Sequence, residues 1–215
     1  MKYKLLLVDF DGTLTTDLGM PPIEYIPSPH LFNVVQEGLR HISFSLCTGR
    51  DKKTVINVIK KLNLTSPQII EGGAKIISSS GKEIWTKYIS RNVSNVIVNL
   101  LKKTETSFSV IVDGIEIINT IPFKNFDKIT AVLWYDLNKN QVGRLRDELS
   151  SFKDINIAVN QDRSGNTIYI THKEGTKSHG VKSLLSLLRV KKAFSLDLLL
   201  STRLLSVVQA LLVTF

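Results

Sequence analysis

Cysteine is almost missing from this chain: Cys47 is the only one in 215 residues. That count excludes a disulfide framework and a cysteine-ligated zinc site. Aromatic residues are scarce, at 7%. The 28 basic residues outnumber the 19 acidic ones but come as scattered pairs, such as Lys52–Lys53, Lys60–Lys61 and Lys102–Lys103. Without a basic block interleaved with aromatics, nucleic-acid binding is not expected. A formal charge of +9 favours smaller anions such as phosphate esters. No stretch supplies the roughly 18 uncharged apolar residues of a membrane helix. The leucine-rich segment 193–215 comes nearest, and it carries Asp197 and Arg203. A buried strand and helix is expected there, with a membrane-seeking tail as the alternative. Internal repeats and low-complexity segments are absent. No charged and apolar leader precedes the first strand-like run, so a reduced, cytoplasmic setting is expected.

With 43% hydrophobic and 22% charged residues, the chain suits one ordinary domain, or a core domain with a modest insert. Tyr3 to Phe10 reads YKLLLVDF, too short for a helix and typical of a strand buried on both faces. After a proline-rich stretch, Leu31, Val34, Val35 and Leu39 recur at helical spacing. Ile42 to Cys47 reads as a second strand, Val55, Val58, Ile59 and Leu62 as a helix, and Gln68 to Glu71 as a third strand. This alternation predicts a parallel sheet with helices on its faces. Beyond Gly73 the pattern changes. Lys75 to Ile89 predicts a hairpin around Ser78–Gly81, and Val93 to Leu101 a helix. Val110 to Ile118 and Ile129 to Tyr135 read as strands, and Val142, Leu145 and Leu149 lie on a further helix. Ile155–Val159 and Thr167–Thr171 pair across Asp162–Gly165, and Lys177 to Leu188 returns to helix. The expected class is α/β, with a core domain over 1–74 and 161–215 and an inserted α+β cap over 75–160.

The chemistry concentrates in Asp9-Phe10-Asp11-Gly12-Thr13-Leu14-Thr15, directly after the buried strand. Carboxylates at i and i+2 at a strand's carboxyl end point the same way, into the crevice where open α/β sheets bind ligands. Two like charges so close call for a cation or a shared proton. A plain Asp-Gly turn is the alternative for the dipeptide alone, but not for the whole string.

The string VDFDGTLT resembles the first motif of the haloacid dehalogenase superfamily, a Rossmann-like fold whose phosphatases attack a phosphate ester with the first aspartate. Three later segments are similar to the family as well: Leu46-Cys47-Thr48-Gly49-Arg50, Glu71-Gly72-Gly73-Ala74 and Glu174-Gly175-Thr176-Lys177. The second of these, with the insert that follows it, points to the Cof-like branch, which includes sucrose-phosphate, mannosylphosphoglycerate and archaeal phosphoglycolate phosphatases; the third fits the superfamily's lysine motif. The resemblance implies Asp9 as nucleophile and Asp11 as general acid and base. It implies Mg²⁺ held by Asp9 and the main-chain carbonyl of Asp11. Thr48, Gly49 and Lys177 would bind the phosphoryl oxygens. The substrate would be a small phosphorylated metabolite, phosphoglycolate or a sugar phosphate.

Taken alone, Thr48 could instead cap the following helix, and Lys177 could face solvent. Arg50 could touch substrate or pair with a carboxylate. His172 and His179 lack a third ligand for zinc. Cys47 is expected as a packed core thiol, and Trp85 and Trp134 as packing residues of the cap. The resemblance stops near residue 192. The family's fourth motif supplies a further carboxylate to the metal, and residues 199–204, where it should fall, read LLSTRL without an acid. Three readings follow: an altered reading frame in the tail, a weak or inactive relative that binds a phosphorylated ligand, or replacement by Asp197 or an acid from elsewhere.

Overall fold

The computed structural model describes residues 4–15, 25–121, 126–161, 165–191 and 193–196. Strand β1 (Leu5–Val8) is buried at all four positions, and its alternating side chains feed two cores. Leu6 and Val8 pack with Phe44, Val55, Val58, Ile59 and Leu62 on one face of the sheet. Leu5 and Leu7 pack with Ile69, Ile76 and Leu184 on the other. The first face is covered by helices α1 (Pro29–Leu39) and α2 (Lys52–Leu62), whose apolar residues recur at helical spacing. Capping explains where they start. Ser28 accepts from Leu31 N with Pro29 at the first helical position, and Asp51 accepts from Thr54 N.

Strands β2 (Ser43–Leu46) and β11 (Phe194–Leu196) flank β1, both parallel to it. A parallel bridge between Cys47 and Ile69 extends the sheet to β3 (Gln68–Ile70). From β3 a hairpin of β4 (Lys75–Ile77) and β5 (Glu83–Thr86) continues antiparallel. The chain therefore leaves β1 in one direction, through β2 and β3, and returns on the other side as β11. That reversal is a topological switch point, and it opens the crevice at the carboxyl end of β1.

A separate five-stranded antiparallel sheet follows, in the order β7 (Ile115–Ile118), β6 (Phe108–Val112), β8 (Ile129–Leu137), β10 (Asn166–His172), β9 (Ile155–Gln161). Helices α3 (Arg91–Leu101) and α4 (Lys139–Leu149) cover one face, over a core of Val93, Ile97, Val110, Val132, Trp134, Leu149, Ile168 and Ile170. The strands alternate, as a half-covered sheet must. Ile155, Ile157 and Val159 turn to that core. Asn156, Ala158 and Asn160 turn the other way, toward the carboxyl end of β1.

Two expectations change, and one alternative drops out. Val110–Ile118 is not one strand but the β6–β7 hairpin, bent at Asp113 (φ 52°) and Gly114 (φ 81°); the Asp-Gly turn outweighs the apolar continuity. Trp85 packs beneath the first sheet, not in the cap. Thr48 does not cap α2, since Asp51 does. Hydrogen bonding also joins 75–86 to the first sheet and 166–172 to the second, so we propose cap boundaries near 87 and 173 in place of 75 and 160. The two linkers meet in a Lys87–Glu174 ion pair. Cys47 is buried in the core, as expected. Asp197, the helix expected after it and the stretch 199–204 lie outside the described residues. No described helix is long and apolar enough to cross a membrane.

Candidate active site

At the carboxyl end of β1 the chain turns sharply, with Leu14 N donating to Phe10 O at 2.9 Å. Asp9 and Asp11 sit on this turn, and each carboxylate meets a cation from a different element. Asp9 Oδ2 lies 3.0 Å from Lys177 Nζ, and Asp9 Oδ1 accepts from Phe10 N. Asp11 is gripped by Arg50: Nε donates to both carboxylate oxygens at 3.1 and 3.0 Å, and Nη2 to Oδ1 at 2.6 Å. Burial works against the Arg50 charge, but the Asp11 hydrogen bond and charge outweigh it and hold the guanidinium more firmly protonated than usual. The sequence left Arg50 open between substrate and carboxylate; here it takes the carboxylate.

Lys177 is the first residue of α5 (Lys177–Leu187), which Thr176 caps. Helix α5 reaches Asp9 because the 71–74 loop has almost no side chains in the way. A Cβ on Gly73 would fall 2.1–2.3 Å from backbone atoms of Thr176 and Lys177, and its φ of +101° is open to glycine alone. A Cβ on Gly180 would meet Ile69 Cγ2 at 2.8 Å. The two segments that carry the family resemblance on either side of the insert are thus in backbone contact, and that contact places the lysine.

A cavity of about 370 Å³ joins these groups. Asp9, Asp11, Gly49, Thr176 and Lys177 form its floor. Asn156, Ala158 and Asn160 of β9 and Tyr169 and Thr171 of β10 form its roof, with Gly72 at the side. Thr48, fully buried, lies behind Gly49, and its Oγ1 accepts from Arg50 N at 3.2 Å. Of the residues proposed from sequence, Asp9, Asp11, Gly49 and Lys177 thus share one cavity, and Thr48 stands one residue back. His172 and His179 are engaged locally, accepting from Glu174 N and bonding Thr176 Oγ1 respectively. The roof residues were not singled out from sequence. Their only signal is the polar half of the alternation in β9 and β10.

At the junction of the two sheets lies a buried charge cluster. The Glu71 carboxylate is fully buried, 3.4 Å from Lys75 Nζ, and accepts from Thr130 of β8. Burial pushes its proton affinity up, and Lys75 and Thr130 offset only part of that. Tyr169 packs on Gly72, where a Cβ would fall 2.5 Å from the ring. Burial and the nearby Glu71 and Glu116 charges hold its phenol neutral.

A divalent cation is implied by the resemblance, and the donor set fits it. Mg²⁺ takes one or two carboxylates and completes its shell with water and phosphate oxygens. Asp9 and Asp11 supply such oxygens; among the described residues no group of three ligating side chains adds to them. Lys177 competes with the ion for Asp9 Oδ2, while Arg50 occupies the side-chain oxygens of Asp11 and not its main-chain carbonyl.

The model of the haloacid dehalogenase-like hydrolases matches residues 6–121, more than half of the chain. No curated protein sequence matches it. Solved structures do. A haloacid dehalogenase-like hydrolase from B. subtilis superposes with a TM-score of 0.67 at 14% identity, over 87% of this chain and 79% of that one. TM0651 from Thermotoga maritima gives 0.66 at 20% identity, over 88% and 77%. The subclass IIB sugar phosphatase BT4131 gives 0.66 at 16%, over 89% and 79%. These likenesses agree with the fold described above. With the Asp9–Asp11 turn inside the matched segment, the chain belongs to the haloacid dehalogenase-like hydrolase family.

Proposed function

We propose that the protein hydrolyses a small phosphomonoester through a phosphorylated Asp9. The observation that carries this reading is the pairing of Asp9 with Lys177 at the end of β1, inside a cavity roofed by the second sheet. Asp9 Oδ attacks phosphorus, the ester P–O bond breaks, and the leaving alkoxide takes a proton from Asp11. The Arg50 fork stabilises the carboxylate that this donation leaves behind. Water then attacks the same phosphorus, Asp11 takes its proton, and the P–O bond to Asp9 breaks to release phosphate. Lys177 and the α5 N-terminus face the charge on the phosphoryl oxygens; Gly49 and, behind it, Thr48 approach them from the β2 side. Mg²⁺, when bound at Asp9 and the Asp11 carbonyl, supplies further charge neutralisation. A roof over the cavity restricts the substrate to a small metabolite.

A second reading is a phosphate-ligand binder without turnover. The acid-free stretch 199–204 favours it. Phosphate release from a panel of small phosphomonoesters, with and without Mg²⁺, decides between them. Mg²⁺-dependent release that drops by at least about a thousandfold in Asp9→Asn is the expected result. Release no greater than that of the variant would establish the binder instead.

A further inference from the structure

We infer that Tyr169 and Thr171, with Asn156 and Asn160, form a subsite selecting an uncharged, hydroxyl-rich leaving group over a carboxylate-bearing one. The inference rests on the phosphomonoester reading above and names the other half of that substrate. Among the described residues five buried side-chain atoms lack a hydrogen-bond partner, and two of them, Tyr169 Oη and Thr171 Oγ1, belong to residues lining this cavity. Buried hydroxyls are almost always paired, so two orphans on one wall mark a place where a ligand supplies the missing atoms. They lie on the same face of β10, two residues apart. The register sets Asn156 beside Thr171 and Ala158 beside Tyr169, so the wall alternates hydroxyls and amides around a small apolar gap.

The chemistry of that wall chooses the ligand. Hydroxyls and amides both donate and accept, and a ligand hydroxyl answers them by doing both. A carboxylate only accepts, and entering this wall it would meet no cation among the described roof residues. It would also enter the field of Glu71 and Glu116, both of which act on Tyr169. A buried anion without a partner is strongly disfavoured. The cations of the site stand on the opposite wall, where Lys177 and Arg50 face Asp9 and Asp11.

Binding tests this independently of turnover. In the Asp9→Asn protein, titration calorimetry compares glycerol 1-phosphate, phosphoglycolate and inorganic phosphate, with Tyr169→Phe and Thr171→Val added in turn. Glycerol 1-phosphate should bind at least fivefold more tightly than phosphoglycolate. Each hydroxyl deletion should cost it roughly three- to tenfold relative to inorganic phosphate, about one hydrogen bond. Because the hydroxyls have no protein partner, both variants should unfold at the same or a higher temperature than their parent when free of ligand. Phosphoglycolate binding as tightly as glycerol 1-phosphate would overturn the inference. So would unchanged glycerol phosphate affinity in both variants, or a lowered unfolding temperature that reveals a structural partner. If the margin and its loss are seen but wild-type protein releases no phosphate from any ester, the subsite stands and the hydrolytic reading falls.

Discussion

Glu71 is a carboxylate sealed from solvent, held in the left-handed region at φ 54° between Lys75 and Thr130. Its proton is held more tightly in the folded chain than in the unfolded one, because burial disfavours the charge. Stability from this group is therefore greatest below the ordinary value of 4.5 and declines as pH rises through the raised folded value. Chemical denaturation across that window should show the parent losing stability relative to Glu71→Gln as pH rises. Parallel curves would contradict the assignment. Gly73 is the second residue with an outcome out of proportion to its size. Gly73→Ala forces backbone apart at Thr176 and Lys177, so it should destabilise the fold by more than about 2 kcal/mol. It should also lower kcat by withdrawing Lys177 from Asp9. A variant with parental unfolding temperature and kcat would show that the close approach is not needed.

Among the elements, α2 has a divided duty at its N-terminus. Asp51 caps its own helix through Oδ1, and through Oδ2 it accepts Glu116 N from the β6–β7 hairpin at 3.3 Å. The hairpin turn rests on the same helix, with the Cβ position of Gly114 3.0 Å from Lys52 Cβ. One side chain thus fixes a helix start and docks the second sheet on the loop that carries Thr48, Gly49 and Arg50. Asp51→Ala should cost about 1–2 kcal/mol in denaturant titration, from the lost cap and the orphaned amide. Asp51→Ser, which can still cap, should recover a good part of that. Equal losses in the two variants would place the cost in the docking contact alone.

For the whole molecule, three hydrophobic clusters divide cleanly. Two lie on the faces of the parallel sheet, and the third draws every member from residues 89–170. A segment with its own core and closed sheet order can fold alone. Residues 88–172 expressed by themselves should give a cooperative thermal transition and dispersed amide resonances. A non-cooperative melt would mean the cap depends on the core, and the proposed boundaries would fall with it.

The string Asp9–Thr15 and the apolar run before it were enough to place two carboxylates at the end of a buried strand, because β periodicity and turn chemistry are local. Lys177 was singled out only by the resemblance of its segment to the family, since a lysine at a helix start could equally face solvent. What no local pattern contains is which strand pairs with which. The hairpin at 75–86 joins the first sheet and 166–172 the second, because each strand goes where its apolar face finds a partner. Arg50 meets Asp11 across 39 residues, and Glu71 meets Thr130 across 59. In β9 and β10 the alternation of apolar and polar residues is the only trace in the sequence of a second, polar face. Only the packing of that face over Asp9 made it the roof of a cavity, because a sheet's register, and not its sequence, sets what its second face looks onto.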